Sequence, residues 1–398
     1  MVILPFILLG CAAVALLVYG LGVIATVQHT SRKPPVLPES ELPPVSLLKP
    51  IKGAEESLEA NLRSFYEQEY PSFEVVFSTT EPNDPALPVA RRVAADYPDV
   101  PTRFVRSDPE FGLNPKVANL AGALRAASHA LVLQSDANVR AEPDYLRRIV
   151  SELRAEDGKL LSSMVVGVGE ERVGALLDNL QLSAFTAPGC CLALRLAGIV
   201  CVIGKSMLFY KDDLEEVGGL ELVRDVLAED YVLGRAFQKA GKHVILSTTT
   251  AQNVNVVSSV EHFMGRHARW LKMRAVIHIP GFVADLFANP TGLSLLAFLT
   301  SGFDARIGAA FAVITVLKAW GDMFLVRRTR GVPLRFWHRF LTPLRDVLMM
   351  AIWPYAMFSR SIEWRGVRLR LGWNTRLRPD EGPLPLRLMR RVPFFRSI

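Results

Sequence analysis

The chain has 398 residues, half of them hydrophobic, and a formal net charge of +7. That length allows two or three domains, or one domain with membrane segments, and so apolar a composition argues against a wholly soluble protein. The charge calls for an anionic partner; no nucleic-acid motif occurs, and the basic residues crowd into the C-terminal third beside apolar segments, so a bilayer surface fits better than nucleic acid.

From Met1 to Val27 no side chain is charged, and about 20 apolar residues suffice to cross a bilayer as a helix. No basic residue precedes the run, and it is too long for a signal-peptide core. Residues 1–28 therefore read as a retained transmembrane anchor. Arg32 and Lys33 follow it, which places the downstream chain on the cytoplasmic side. Residues 29–44 are rich in proline and read as a stiff linker that holds the next domain off the bilayer.

Residues 45–275 alternate strand-like and helix-like segments. Val45–Leu48, Phe73–Phe77, Thr102–Val105 and Ala130–Leu133 are predicted strands. Ala54–Gln68 is a predicted helix with Leu58, Leu62 and Phe65 inward, and Pro85–Tyr97 another with Val89, Val93 and Tyr97 inward. Asn114-Pro115 has the form of a helix start, an Asn cap followed by Pro. Such alternation implies an α/β domain with an open, mostly parallel sheet, in which ligands sit beyond the carboxyl ends of the strands.

Residues 276–359 are apolar again. Leu286–Phe303 and Ile307–Val326 are each long enough to span and form a predicted hairpin, with Lys318 and Asp322 spaced to pair on one helical face. Val347–Ser359 is short and contains Pro354, so it reads as an interfacial helix. Residues 360–398 read as a basic cytoplasmic tail. The four cysteines have neither zinc-ligand spacing nor a disulfide pattern, which fits a reducing compartment.

The candidate site residues fall in order along the α/β segment. Lys52 follows the first strand and is placed to touch a nucleotide. Asp84 lies in a Pro-rich turn, where it caps its own backbone or accepts from a uracil or ribose. Asp136 ends a strand; it is a cap or, with Asn138 nearby, a ligand for a hard cation such as Mg2+ or Mn2+ that takes a carboxylate plus substrate phosphates. Glu229 and Asp230 open a helix-like run, either as macrodipole caps or with Asp230 as a general base and Glu229 orienting it. Arg266, Arg269 and Trp270 share one helical face, suited to gripping phosphate oxygens or to lying at a membrane. His243, His262, His267 and His278 show no metal-ligand spacing and read as ordinary. Three carboxylates followed by paired arginines beside a tryptophan suit chemistry on a diphosphate-linked sugar.

Together these residues resemble the ceramide glucosyltransferase family, in its bacterial form. Leu48-Lys49-Pro50-Ile51-Lys52-Gly53 looks like the family's opening strand, and Asp84, Asp136 and Asp230 fall where its three aspartates fall. Arg266-His267-Ala268-Arg269-Trp270 fits its (Gln/Arg)-x-x-Arg-Trp signature. Asn114-Pro115-Lys116-Val117-Ala118-Asn119-Leu120 and Cys201-Val202-Ile203-Gly204-Lys205-Ser206 are also similar, whereas Thr186-Ala187-Pro188-Gly189 departs from animal members. The resemblance implies a GT-A fold, a UDP-sugar donor (glucose first), inversion at the anomeric carbon, and a membrane lipid acceptor, ceramide first. It also implies an active site at the cytoplasmic face of the membrane, the inner membrane for a bacterial member. Asp230 is then the catalytic base; Lys52, Asp84, Asp136, Glu229, Arg266, Arg269 and Trp270 serve the nucleotide-sugar, with Asp136 as metal ligand. Transfer to a hopanoid or another lipid, and processive polysaccharide synthesis, are the alternatives.

Overall fold

The computed structural model describes residues 3–364 and 367–380. A long apolar helix, α1 (Ile3–Ser31), precedes the α/β region: β1 (Val45–Pro50), α2 (Leu58–Tyr66), β2 (Phe73–Thr79), α3 (Ala86–Ala95), β3 (Thr102–Arg106), α4 (Pro115–Ala126), β4 (Leu131–Ser135) and β5 (Val139–Arg140). It continues through α5 (Tyr145–Ala155), β6 (Leu160–Val168), α6 (Val173–Gln181), α7 (Ala187–Ala197), β7 (Ser206–Tyr210), α8 (Lys211–Glu216), α9 (Glu229–Lys239), β8 (Val244–Val254) and α10 (Val260–Ile277). The C-terminal part comprises α11 (Ile279–Phe287), α12 (Pro290–Thr300), α13 (Ala305–Arg330), α14 (Thr342–Phe358) and the strands β9 (Ser361–Trp364), β10 (Val367–Leu371) and β11 (Leu377–Pro379).

Eight strands form one sheet in the order β3-β2-β1-β4-β7-β6-β8-β5. The strands β3, β2, β1 and β4 run parallel, as do β6 and β8, while β7 runs against both its neighbours. The sheet is covered on both faces, and its central strands β1, β2 and β4 are buried almost from end to end rather than at alternate residues. Leu47, Val75, Phe77 and Leu133 face one core with Leu58, Leu62 and Phe65 of α2, and Leu48, Val76 and Val132 face the other with Val117 and Leu120 of α4. In α3 Ala86, Ala90 and Val93 are buried, and the expected Val89 and Tyr97 are half-buried against the same core.

Among the described residues three helices are long and apolar enough to cross a bilayer: α1, α13 and the run Val173–Ala197. The last is half-buried in the protein and carries Asp178, which is bonded into the α/β region, so it is a core helix of that region. The run expected to span over Leu286–Phe303 is instead broken. Asn289 accepts from the Gly292 N–H and Pro290 starts a new helix, so α11 and α12 meet at 63°. Apolar length alone does not register a cap. Helix α12 packs between α1 and α13, and α14, at 17 residues, is shorter than a full span.

Two further expectations change. The proline-rich segment is not a spacer: α1 itself docks on the domain, with Ala25 packed against Met164, Ala187 and Leu246, and the Leu37 N–H donates to Ser151 Oγ at 3.2 Å. The supposed tail is partly a folded three-stranded sheet, β11-β10-β9. Ile362, Leu369, Leu371 and Leu377 alternate inward and bury Leu227 beneath them. The Leu227 N–H donates to Thr375 O at 3.0 Å and the Leu377 N–H to Asp225 O at 2.7 Å. This sheet braces the segment entering α9. The rest of the predicted tail, residues 381–398, lies outside the described residues.

Candidate active site

Sheet register builds the site. Pairing of β4 with β7 sets Ser135 opposite Ser206. Because the two strands are antiparallel, the residue after the end of β4, Asp136, meets the residue before the start of β7, Lys205. Lys205 Nζ lies 3.1 Å from Asp136 Oδ2 and donates to Asn138 Oδ1 at 2.7 Å. From the other side comes Lys116, in the first turn of α4, whose start is fixed by Asn114 accepting from the Lys116 and Val117 N–H groups. Lys116 Nζ lies 3.0 Å from Asp136 Oδ1 and 2.9 Å from Glu229 Oε1, and donates to Gly204 O at 2.8 Å.

Glu229 and Asp230 occupy the first turn of α9, where the helix dipole favours negative charge. Asp230 is oriented by the backbone: Oδ2 accepts from the Gly204 N–H at 2.6 Å and Oδ1 from the Tyr231 N–H at 2.8 Å. Asp136 and Asp230 thus converge around Gly204. A Cβ there would sit 2.9 Å from Lys116 Nζ and 3.0 Å from Asp230 Oδ2, so a side chain at this position would push these two groups out of their present places.

Electrostatics follow from this packing. Burial raises the Asp136 carboxyl, but Lys116 and Lys205 outweigh it and hold the group well below the usual carboxylate range. Burial also raises Glu229, against the pull of Lys116, and the net result is above its ordinary value. Burial lowers Lys116, yet Asp136, Glu229 and Asp230 overcome it and keep the ammonium charged. For Lys205 burial wins, and its value falls.

The other expected residues sit around this centre. Asp84 is buried, and its carboxylate accepts from the N–H groups of Gly53, at 2.9 and 3.1 Å, and of Ala86 at 2.8 Å. It shapes the loop after β1. Lys52 Nζ pairs with Glu81 at 2.9 Å, while its neighbour Lys49 is the fully buried lysine that points to the centre, donating to Ser135 Oγ at 3.0 Å and Asp136 O at 3.2 Å. Helix α10 starts beyond the end of β8, on the same side of the sheet. There Arg266 donates to Asn255 Oδ1 at 3.1 Å and lies 3.5 Å from Asp178. His267, read as ordinary, is buried, lies 2.8 Å from Asp178 Oδ1 and meets Trp270 edge to face at 5.0 Å. Arg269 and Trp270 are half-buried on the same helix.

Lys116 and Lys205 were not singled out as site residues, although both stand in the segments on which the resemblance rests. For a metal, Asp136 and Asn138 offer the hard oxygens that Mg2+ or Mn2+ prefers. Among the described residues no three His, Cys, Asp or Glu side chains group as a cage. The Asp136 side chain is 21% exposed, so a cation can reach it and complete its shell from substrate phosphates. The residues fit a cation shared with a diphosphate and do not fit an all-protein site.

The profile of Glycosyl transferase family 21 matches residues 10–377. Ceramide glucosyltransferase 1 of Caenorhabditis elegans is 28% identical over 360 residues, covering 87% of this chain and 75% of the relative. The ceramide glucosyltransferase of Komagataella phaffii is 24% identical over 450 residues, covering 90% and 88%. Among solved structures, a mannosyltransferase from Pyrobaculum calidifontis in complex with GDP-Man and Mn2+ superposes with a TM-score of 0.52 at 19% identity, covering 89% of this chain and 99% of that one. That likeness establishes the GT-A fold.

Proposed function

The chain belongs to glycosyl transferase family 21, and on that premise we propose that it moves a single sugar, glucose first, from UDP to the hydroxyl of a membrane lipid, ceramide first, with inversion. One observation carries the reading: Asp136, Lys116, Glu229 and Asp230 form a linked charged centre at the carboxyl ends of the parallel strands, in a chain with membrane-length helices packed on the same domain.

In this reading Asp230 takes the proton of the acceptor hydroxyl. Its carboxylate is fixed by the Gly204 and Tyr231 N–H groups and stays half-exposed, as a base that must meet a substrate requires. The acceptor oxygen then bonds to the anomeric carbon while the bond from that carbon to the diphosphate breaks, and a single displacement inverts the centre. Arg266 and Arg269 face the departing phosphates with Trp270 beside them. Asp84 holds the Lys52-Gly53 loop against which the base rests. Asp136 would hold a divalent cation, Mg2+ or Mn2+, which when bound would neutralise diphosphate charge.

Orientation follows from the helix ends. Arg328, at the end of α13, bonds Thr30 Oγ1 at 2.8 Å and Ser31 Oγ at 2.6 Å, so the basic ends of α1 and α13 lie together on the side of the catalytic domain. That supports a cytoplasmic active site; the inner membrane is proposed only on the resemblance to bacterial members. The test is purified protein in lipid with UDP-glucose and ceramide. One β-linked glucose per lipid and one UDP released per transfer are expected; a polymer, or UDP release without any lipid product, ends the proposal.

A further inference from the structure

Both carboxylate oxygens of Asp136 already carry an ammonium: Lys116 Nζ at 3.0 Å on Oδ1 and Lys205 Nζ at 3.1 Å on Oδ2. These are not surface pairs. The side chains of Lys116, Lys205 and Asp136 are 18%, 22% and 21% exposed, so solvent screens them poorly. A dication that takes an Asp136 oxygen therefore arrives against the repulsion of at least one ammonium already bound there. In so shielded a place even two unit charges at contact distance repel strongly. Of the two lysines, Lys116 has somewhere else to stay: Glu229 Oε1 at 2.9 Å and Gly204 O at 2.8 Å still hold it when Asp136 is taken. Gly204 in turn donates to Asp230.

We propose that Lys116 is the resident counter-cation of this site, competing with the divalent metal for Asp136 and giving the donor's diphosphate a cationic seat of its own. The proposal rests on the reading that the site takes a nucleoside diphosphate, and it assigns Lys116 a binding role. A purely structural lysine and a competing one part company when the charge is removed. Without Lys116, Asp136 has lost a rival for the metal, so metal affinity rises; the diphosphate has lost a partner, so metal-free affinity falls.

The experiment is calorimetric titration of the full chain in detergent, with Mn2+ alone, with UDP in excess EDTA and with UDP in saturating Mn2+. Lys116→Met is expected to bind Mn2+ about ten- to a hundredfold more tightly than wild type and UDP in EDTA about tenfold more weakly. Lys116→Arg keeps the charge and is expected to stay close to wild type in both titrations. Lys205→Met, which frees the other Asp136 oxygen, should also tighten Mn2+ binding, and serves where Lys116→Met does not fold. Mn2+ affinity that is unchanged or weaker in Lys116→Met, or in Lys205→Met where Lys116→Met does not fold, overturns the proposal. So does UDP binding in EDTA that is equal in wild type and Lys116→Met. A wild type that binds UDP neither with Mn2+ nor in EDTA removes the donor reading as well.

Discussion

Two clusters in this protein use the same residue types and do different things. At the ends of the central strands, Lys116 and Lys205 face Asp136, and Lys116 also faces Glu229. Among the apolar helices, Lys318 and Arg345 face Asp322 and Asp346, with the Tyr19 hydroxyl donating to Asp322 at 2.8 Å. In the second cluster the four charged side chains are at most 7% exposed, and with Tyr19 it ties α1, α13 and α14 together with charges that cancel. In the first, every member but Glu229 is about one-fifth exposed, and Asp230 is added beside it. A closed, neutral cluster has nothing to exchange and serves as a clamp. A half-open one can trade an internal partner for a ligand.

The sharpest way to break this contrast is to remove one acid from each. Asp322→Ala leaves Lys318 and Arg345 under-compensated among apolar helices, and should lower unfolding stability in detergent by about 3–5 kcal/mol. Asp230→Asn should unfold like wild type yet turn over about 10²–10⁴ times more slowly, the usual contribution of a general base. Equal destabilisation by the two substitutions would mean that both clusters are clamps.

Glycines give a milder version of the same comparison. A methyl on Gly204 would press on Lys116 Nζ and Asp230 Oδ2 at 2.9 and 3.0 Å; one on Gly321 would meet the Tyr19 ring edge and hydroxyl at 2.6 Å. Overpacking typically costs about 1–3 kcal/mol. For Gly321→Ala that cost should appear in the unfolding midpoint, because Tyr19 is locked between α1 and α13. For Gly204→Ala it should appear in kcat, because the tips of Lys116 and Asp230 can move aside but only out of register with the acceptor.

How far the sequence reached these clusters depended on the signal. Asp136 and Asp230 were legible because each stands at a strand end or helix start, where a parallel sheet gathers its ligands. The pairing of Lys318 with Asp322 was legible from four-residue spacing, and Nζ lies 2.8 Å from Oδ2. Arg345 was not, since it joins from another helix and no local pattern links the two. Lys116 and Lys205 were passed over because a lysine in a loop or first turn is normally solvated; only the antiparallel insertion of β7 brings Lys205 back to Asp136, and that strand carries no turn signal of its own. The break at Asn289-Pro290 repeats the Asn-Pro start read correctly at Asn114-Pro115. It was missed because counting apolar residues outweighed reading the cap.

The smallest expected effect tests where the site ends. Lys52 was expected to touch the nucleotide, and the structure sets its ammonium 2.9 Å from Glu81 at the mouth of the loop that Asp84 holds. The two side chains are 24% and 51% exposed, so the pair is worth at most about 1 kcal/mol. Lys52→Ala should therefore leave stability almost unchanged and weaken UDP binding by less than about fivefold. It lies well below Lys116→Met in that ranking, because its partner Glu81 is half exposed and screened by solvent, whereas Lys116 sits between the shielded carboxylates of Asp136 and Glu229. Calorimetry of both variants in EDTA orders them directly. If Lys52→Ala costs UDP binding as much as Lys116→Met does, the diphosphate is gripped at the rim, and the half-open cluster around Asp136 loses its distinction from the closed one among the helices.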